Sequence, residues 1–412
     1  MIINVPQMAW YDPSEFAISL PDSWQVQVNN MAGYNRPPLK PDDIRATICN
    51  PIGILPIREL AKDRKDVVIL IDDMSRVTRD AEIVPYILEE LAEAGIPDER
   101  IRFIMALGCH APRDRRDFAK KLGEEVMARF PVYNHNPFSN CIYIGTTETL
   151  GTKVHINQEV MKCNLKIGIS LVVPHALHGF SGGGKIILPG VASYDCIQHN
   201  HAILDKVIAE ERQAVSGMGV FDKNLVRVDT EEAAIMVGLD VSVNCIINNW
   251  GETVAIYAGE LKQSFSAAVN DAKKNYSTPV LEGKDIVIAN TYTKVTEAWV
   301  GLFVAYPAVK PEGGDIVLIA NTPEGQVTHY LMGPFGETSF GPIPYKAEIP
   351  ANVNRLIIYM EYPDLAGRYY FGESEKIIYL NRWEDVIRTL EETHGDNTNV
   401  AVYPAAEIQY CI

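Results

Sequence analysis

Short apolar runs rich in β-branched residues alternate with amphipathic helical patterns along this chain. That alternation confines it to βαβ units around largely parallel sheets. Residues 67–72 (VVILID) read as a buried strand. Across 81–95, Ile83, Ile87, Leu88 and Leu91 recur at helical spacing, and Gly95 stands where the helix should stop. Residues 101–107 form the next strand pattern, and 165–173 repeat it. A second block begins near residue 284, with strand patterns at 285–290, 315–321 and 356–361. A helical stretch over 297–306, a late helix over 383–390 and a strand over 400–403 complete it. The expected fold class is α/β in two domains, 1–275 and 284–412, each a mainly parallel sheet flanked by helices. At 412 residues the chain exceeds the roughly 250–300 residues at which single cores stop growing. The polar segment 271–283 is the expected linker.

Open α/β sheets bind ligands outside the carboxyl ends of their strands. Three strand ends here carry polar loops: Asp72-Asp-Met-Ser-Arg76, Gly108-Cys-His110 and Pro174-His175. They should bring Asp73, Arg76, His110 and His175 to one side of one sheet.

The third loop opens the densest stretch of chemistry, Pro174-His-Ala-Leu-His-Gly-Phe-Ser-Gly-Gly-Gly-Lys-Ile-Ile-Leu-Pro-Gly190, followed by His199-Asn-His201. Four of the nine histidines lie here, with three consecutive glycines and a lysine behind them. Glycines let backbone N–H groups converge on an anion, lysine brings an amine, and imidazoles serve as metal ligands or proton carriers. The spacing is neither G-x-x-x-x-G-K-[ST] nor G-x-G-x-x-G, which weighs against a P-loop NTPase and an ordinary dinucleotide dehydrogenase. A flexible turn that happens to hold a lysine is the bland alternative. His199 and His201 share a face only in an extended segment, so a helix would leave one of them in the site. Imidazole suits zinc, copper, iron and nickel alike.

The net charge of -16 speaks against nucleic acid as a partner and requires a local cationic pocket for any anionic substrate. Seven cysteines, an odd number without C-x-x-C pairing, suit a reduced compartment. The N-terminus lacks the basic and apolar regions of a secretory signal, and no apolar run approaches about 18 residues. A cytoplasmic protein with no membrane partner is expected; a homo-oligomer is compatible with the sequence.

Taken together, Asp73-Met-Ser-Arg76, Ala106-Leu-Gly-Cys-His110, Pro174-His175, Gly179-Phe-Ser-Gly-Gly-Gly-Lys185, Pro189-Gly190 and Asn200-His201 resemble the lactate racemase family, whose members use a nickel-pincer nucleotide. The resemblance runs over most of the chain. It implies a racemase or epimerase of a 2-hydroxy acid or sugar acid, with the N-terminal domain holding the cofactor and the C-terminal domain closing over an interdomain crevice.

The cofactor so implied is pyridinium-3,5-bisthiocarboxylic acid mononucleotide with nickel, joined covalently to Lys185. His201 would be the protein's ligand to the metal, and the cofactor's two sulfurs and ring carbon would complete a roughly square-planar site. Asp73 would hold ribose hydroxyls, while Arg76 and the backbone of Gly182, Gly183 and Gly184 would bind the phosphate. His110 and His175 would be paired acid–bases for a reversible hydride transfer that inverts the carbon. Cofactor-biosynthesis enzymes are implied partners.

One segment departs from the family pattern. Lactate-type members continue into Asn-x-Tyr-Pro, then a glutamine and a lysine that grip the substrate carboxylate. Here Thr293 replaces the proline, and Val300 and Phe303 fall where the glutamine and lysine would stand, which points away from lactate itself. Lys294 and Trp299 are candidates for a substitute pocket; the bland reading makes Lys294 solvated and Trp299 and Phe303 core residues. His178 is either an orienting residue or a polar neighbour of the loop. Two other functions stay open on residues alone: a zinc-dependent hydrolase using His199 and His201, and a non-catalytic nucleotide- or anion-binding protein.

Overall fold

The structure is a computed structural model that describes residues 1–202, 216–332 and 348–412. Its chain forms two units: 36–248 with 252–273, and 1–35 with 249–251 and 274–412.

The first unit is built on a six-stranded sheet in the order Thr253–Gly259, Val241–Ile247, Leu165–Leu171, Val67–Asp72, Ile101–Ala106, Val132–Asn134. All neighbours pair in parallel except the edge strand Thr253–Gly259. Val67–Asp72 and Leu165–Leu171 are buried along their whole length, which is why both read as unbroken apolar runs rather than alternations. The helix Asp80–Glu93 buries Ile83, Val84, Ile87, Leu88 and Leu91. It stops at Gly95, whose φ is +79°; Gly95 N–H bonds the Ala92 carbonyl and Ile96 N–H the Leu91 carbonyl, a Schellman ending.

Chain order and sheet order together place the site. From Val67–Asp72 the chain moves one way to Ile101–Ala106 and Val132–Asn134, then returns to pair Leu165–Leu171 on the other flank of Val67–Asp72. The direction of winding reverses between those two strands, and the crevice beyond their carboxyl ends is where such sheets take ligands.

The second unit holds six parallel strands in the order Ile377–Leu380, Val353–Tyr359, Gly314–Ile319, Ile286–Asn290, Asn399–Tyr403, Gln25–Val28. Successive residues of one strand feed opposite faces. Val287 and Ala289 pack with Leu302, Leu318 and Phe371, whereas Ile286 and Ile288 pack with Val5, Ile18, Trp24, Trp383 and Val386.

Two expectations need redrawing. The first 35 residues do not belong with 36–273, as the division 1–275 and 284–412 assumed. Gln25–Val28 supplies an edge strand to the later sheet, and Val5, Ile18 and Trp24 complete its core. The expected linker is also more structured than its polarity suggested. The helix Leu261–Asn275 runs through Asp271, and Ser277–Thr278 pairs with Tyr410–Cys411.

The helical stretch at 297–306 is broken as well. Val295–Gly301 and Tyr306–Ala308 are 3-10 turns around a short α-helix, Leu302–Ala305. No described helix is long and apolar enough to cross a membrane.

Candidate active site

The loop after Val67–Asp72 rests on a buried lysine. Lys121 pairs with Asp72 at 2.7 Å and approaches Asp80 at 3.5 Å, and its amine donates to the carbonyls of Asp73 and Arg76. Asp72 also accepts from Thr78 Oγ1 and from Leu171 N–H on the neighbouring strand. Burial pushes the Asp80 carboxyl well up, and Asp72 adds to this against the charge of Lys121. Two loop carbonyls are thus gripped from below, which aims Asp73 and Arg76 from a fixed base.

Asp73 itself is buried, and its Oδ1 accepts from Ser75 N–H and Ser75 Oγ. Its Oδ2 lies 2.7 Å from His110 Nδ1. Burial works against the carboxylate charge, yet His110, Arg113 and Arg76 outweigh it and hold the carboxyl far below the usual range. Gly108 adopts φ +55° and donates to the Gly190 carbonyl, so the loop bearing His110 is tied to the end of the glycine-rich stretch.

In that stretch, Pro174–His175 and Gly179–Phe180 form a two-residue antiparallel hairpin. His175 Nδ1 accepts the backbone N–H groups of Leu177 and His178 at 3.1 and 3.2 Å. Its Nε2 lies 2.8 Å from Lys185 Nζ. The glycines before Lys185 act differently from the expected phosphate cradle: Gly183 N–H donates to Asn244 Oδ1 and Gly184 N–H to Glu231.

What Gly182 and Gly183 supply is absence of bulk and positive φ. A Cβ on Gly182 would meet Val172 at 2.5 Å, and one on Gly183 would meet the Phe265 ring at 2.7 Å. Behind the turn, Arg227 donates to the Phe180 and Gly182 carbonyls, pairs with Glu231 at 3.1 Å and lies over the Phe265 ring. A buried cation and carboxylate therefore bind the turn that precedes Lys185.

The segment 199–201 is helical, within Tyr194–Ala202, so His199 and His201 point to different faces. His199 Nδ1 meets Thr152 Oγ1 at 2.9 Å, and that hydroxyl also donates to Asp229, as does Asn200 Nδ2. His199 thus belongs to the network that fastens this helix to Leu225–Val237. A zinc site built on the pair has lost its geometry.

His201 faces the cluster. Burial and the charge of Lys185 lower its pKa to about 3, with a smaller effect of His110 in the same direction. Between them, His178 is fully buried with both ring nitrogens lacking a hydrogen-bond partner among the described residues. Its ring stands edge-on to His175 and to His201, each with centroids 5.2 Å apart. Its pKa lies well below the usual histidine value, chiefly from burial and then from Lys185.

Asp73, Arg76, His110, His175, Lys185 and His201 are therefore gathered in one unit, at the carboxyl edge of one sheet. Sequence reasoning did not single out Lys121, Asn244, Arg227, Glu231 or Arg113. Arg113 acts on the Asp73 charge and carries a buried Nε without a partner among the described residues. The signal for it was there, a cation three residues beyond His110 in the same loop. Arg227 and Glu231 sit in a distant helix, where spacing offers no hint.

In the other unit, Lys294 is 2% exposed and pairs with Glu297 at 3.4 Å, whereas Phe303 is 42% exposed. The solvated-lysine, buried-phenylalanine reading is inverted. Glu407 Oε1 accepts from Tyr292 N–H, Thr293 N–H and Thr293 Oγ1, fixing the loop that carries Lys294.

A doubly wound sheet with an acid–base and amine cluster at its switch point defines an α/β enzyme. Residues 11–215 match the family profile of the lactate racemase N-terminal domain. A lactate racemase from Lactiplantibacillus plantarum is 27% identical over 305 residues, covering 72% of this chain and 70% of that protein. One from Thermoanaerobacterium thermosaccharolyticum is 27% identical over 329 residues, covering 76% and 74%.

The lactate racemase apoprotein of T. thermosaccharolyticum has the same fold, with a TM-score of 0.73 and 20% identity over 100% of both chains. A protein from Thermotoga maritima gives 0.66 and 18% identity over 91% of this chain and 99% of that one. The chain belongs to the lactate racemase family, and so to the isomerases.

Proposed function

We propose that this protein is a racemase or epimerase of a 2-hydroxy acid that works with a nickel-pincer nucleotide joined to Lys185. The observation that carries the reading is the gathering of His110, His175, Lys185 and His201 in one site.

The residues fit the group. Among the described residues no three His, Cys, Asp or Glu side chains are grouped to hold a metal by themselves. A metal here therefore suits a cofactor that brings most of its own donors. His201 offers an imidazole that burial keeps neutral, the ligating form. Lys185 would carry the covalent link. Arg76 and Arg113 flank Asp73 as cations for a phosphate or a carboxylate.

When bound, the cofactor supplies a reversible acceptor for the hydride on the substrate carbon. The chain's part is acid–base and positional. His110 takes the hydroxyl proton of one stereoisomer, and His175 handles the proton on the opposite side. Each stereoisomer presents its hydroxyl differently, so two imidazoles are needed for inversion.

The substrate we propose is larger than lactate, a sugar acid or a comparable 2-hydroxy acid. Support comes from Val300 and Phe303 at the positions of the family's carboxylate-gripping glutamine and lysine, and from the buried Lys294 beside them.

Protein co-produced with the cofactor-making enzymes should carry nickel and a mass adduct on the Lys185 peptide. It should also scramble C2 of at least one member of a panel of chiral 2-hydroxy acids and sugar acids. A native protein with neither adduct nor nickel would end the proposal.

A further inference from the structure

Histidines 110 and 175 are paired in the proposed reaction, yet their surroundings differ in kind. A carboxylate can only accept a hydrogen bond, and a backbone N–H can only donate one. At His110 the partner of Nδ1 is the Asp73 carboxylate, 2.7 Å away, so Nδ1 carries the proton and the lone pair of the neutral ring sits on Nε2. At His175 the partners of Nδ1 are the N–H groups of Leu177 and His178. There Nδ1 must hold the lone pair, and the proton of the neutral ring sits on Nε2.

We propose that the site holds its two histidines in opposite tautomers, with Asp73 as the positioning residue that makes His110 the ready base and with the 175–178 turn making His175 a hydrogen-bond donor. This rests on the racemase reading for its purpose, although not for its geometry. His110 is poised to remove a proton. His175 is poised to donate a hydrogen bond to a substrate oxygen, and it becomes a base only when the 175–178 turn gives up its bonds to Nδ1.

Lys185 Nζ lies 2.8 Å from His175 Nε2 and competes with the two backbone N–H groups for the ring: as an ammonium donor it would move the proton to Nδ1, the reversed tautomer.

The role of Asp73 also changes. A carboxylate that orients an imidazole differs from one that holds ribose hydroxyls, and the two make different predictions. Long-range 1H–15N correlation of histidine-labelled apoprotein, assigned with His110→Gln and His175→Gln, reads each tautomer without substrate or cofactor. His110 is expected as Nδ1–H and His175 as Nε2–H. The same tautomer in both rings, or either ring reversed, overturns the proposal.

In Asp73→Asn the side-chain amide can donate to Nδ1, so His110 should shift toward Nε2–H, and Asp73→Glu should keep Nδ1–H. Turnover of loaded Asp73→Asn enzyme should fall by about 10⁴-fold, as when an orienting carboxylate is replaced in another acid–base pair, while the fraction of Lys185 bearing the adduct is unchanged. Lost adduct with an unaltered His110 tautomer would assign Asp73 to cofactor binding and overturn its positioning role. If the tautomers are as stated and no hydroxy acid is racemised, the activity reading fails and the geometric one stands.

Discussion

Arg227 shows how much of a site can lie beneath it. Its guanidinium holds the Phe180 and Gly182 carbonyls and pairs with Glu231, all in buried surroundings. Removing one partner of a buried ion pair costs about 3–5 kcal/mol because the other charge is left uncompensated. Arg227→Met should therefore lower the urea midpoint by that equivalent and lower adduct yield at Lys185, a combination read by denaturation and by peptide mass.

His135 makes a pH prediction. Its Nε2 contacts the Ala192 carbonyl and its Nδ1 the Asn157 amide, and burial lowers its pKa to about 4. With an unfolded value near 6.5, the unfolded state binds more protons between those limits. The stabilisation is complete above about pH 6.5 and is lost as pH falls toward 4, by up to about 3 kcal/mol. A stability profile of His135→Gln should be flatter across that window. At this scale the residues at strand ends were legible from position and type. The phosphate role expected of Gly183 and Gly184 was not legible in this way, because sequence shows freedom of backbone but not that their N–H groups already have partners.

The helix Tyr194–Ala202 delivers His201 because its other face is fastened. Thr152 Oγ1 contacts His199 Nδ1 and Asp229, and Asp229 also accepts from Asn200 and from Thr147. Thr152→Val removes a buried hydroxyl and leaves its partners short of a bond, a loss of about 1–3 kcal/mol. Nickel retention in loaded protein should fall while the Lys185 adduct persists, measurable as the metal-to-adduct ratio after gel filtration.

Elements differ in how plainly they announce themselves. Val67–Asp72 was bounded to the residue because burial on both faces leaves no polar position to blur it. The stretch 297–306 read as one helix, yet it divides among the 3-10 segment Val295–Gly301, which Glu297 interrupts at φ -125°, the short α-helix Leu302–Ala305 and a further 3-10 turn. The Lys294–Glu297 pair is buried there, and a local tertiary demand of that kind overrides helical periodicity.

Over the whole molecule, the parallel sheets and the switch-point location follow from the order of apolar runs, whereas membership of the first 35 residues could not be read that way. A four-residue edge strand such as Gln25–Val28, mostly exposed, carries almost no pattern; its partner decides its place. Deleting residues 1–35 should strip Val5, Ile18, Leu20 and Trp24 from one face of the later sheet. At about 1.5–3 kcal/mol for each large buried side chain, that loss rivals the whole stability of a domain. The truncated chain should show early proteolysis within 274–412 while fragments of 36–273 survive longer, as a timed digest would reveal.

The same strand sets a schedule for biosynthesis. Gln25–Val28 leaves the ribosome long before its partner, Asn399–Tyr403, has been made. At roughly 5–20 residues per second, the opening segment waits from tens of seconds to more than a minute with its apolar side chains unsheltered, while the unit bearing Lys185 can already close. The unit built on 36–273 can thus close on the nascent chain while the later sheet still waits for Asn399–Tyr403.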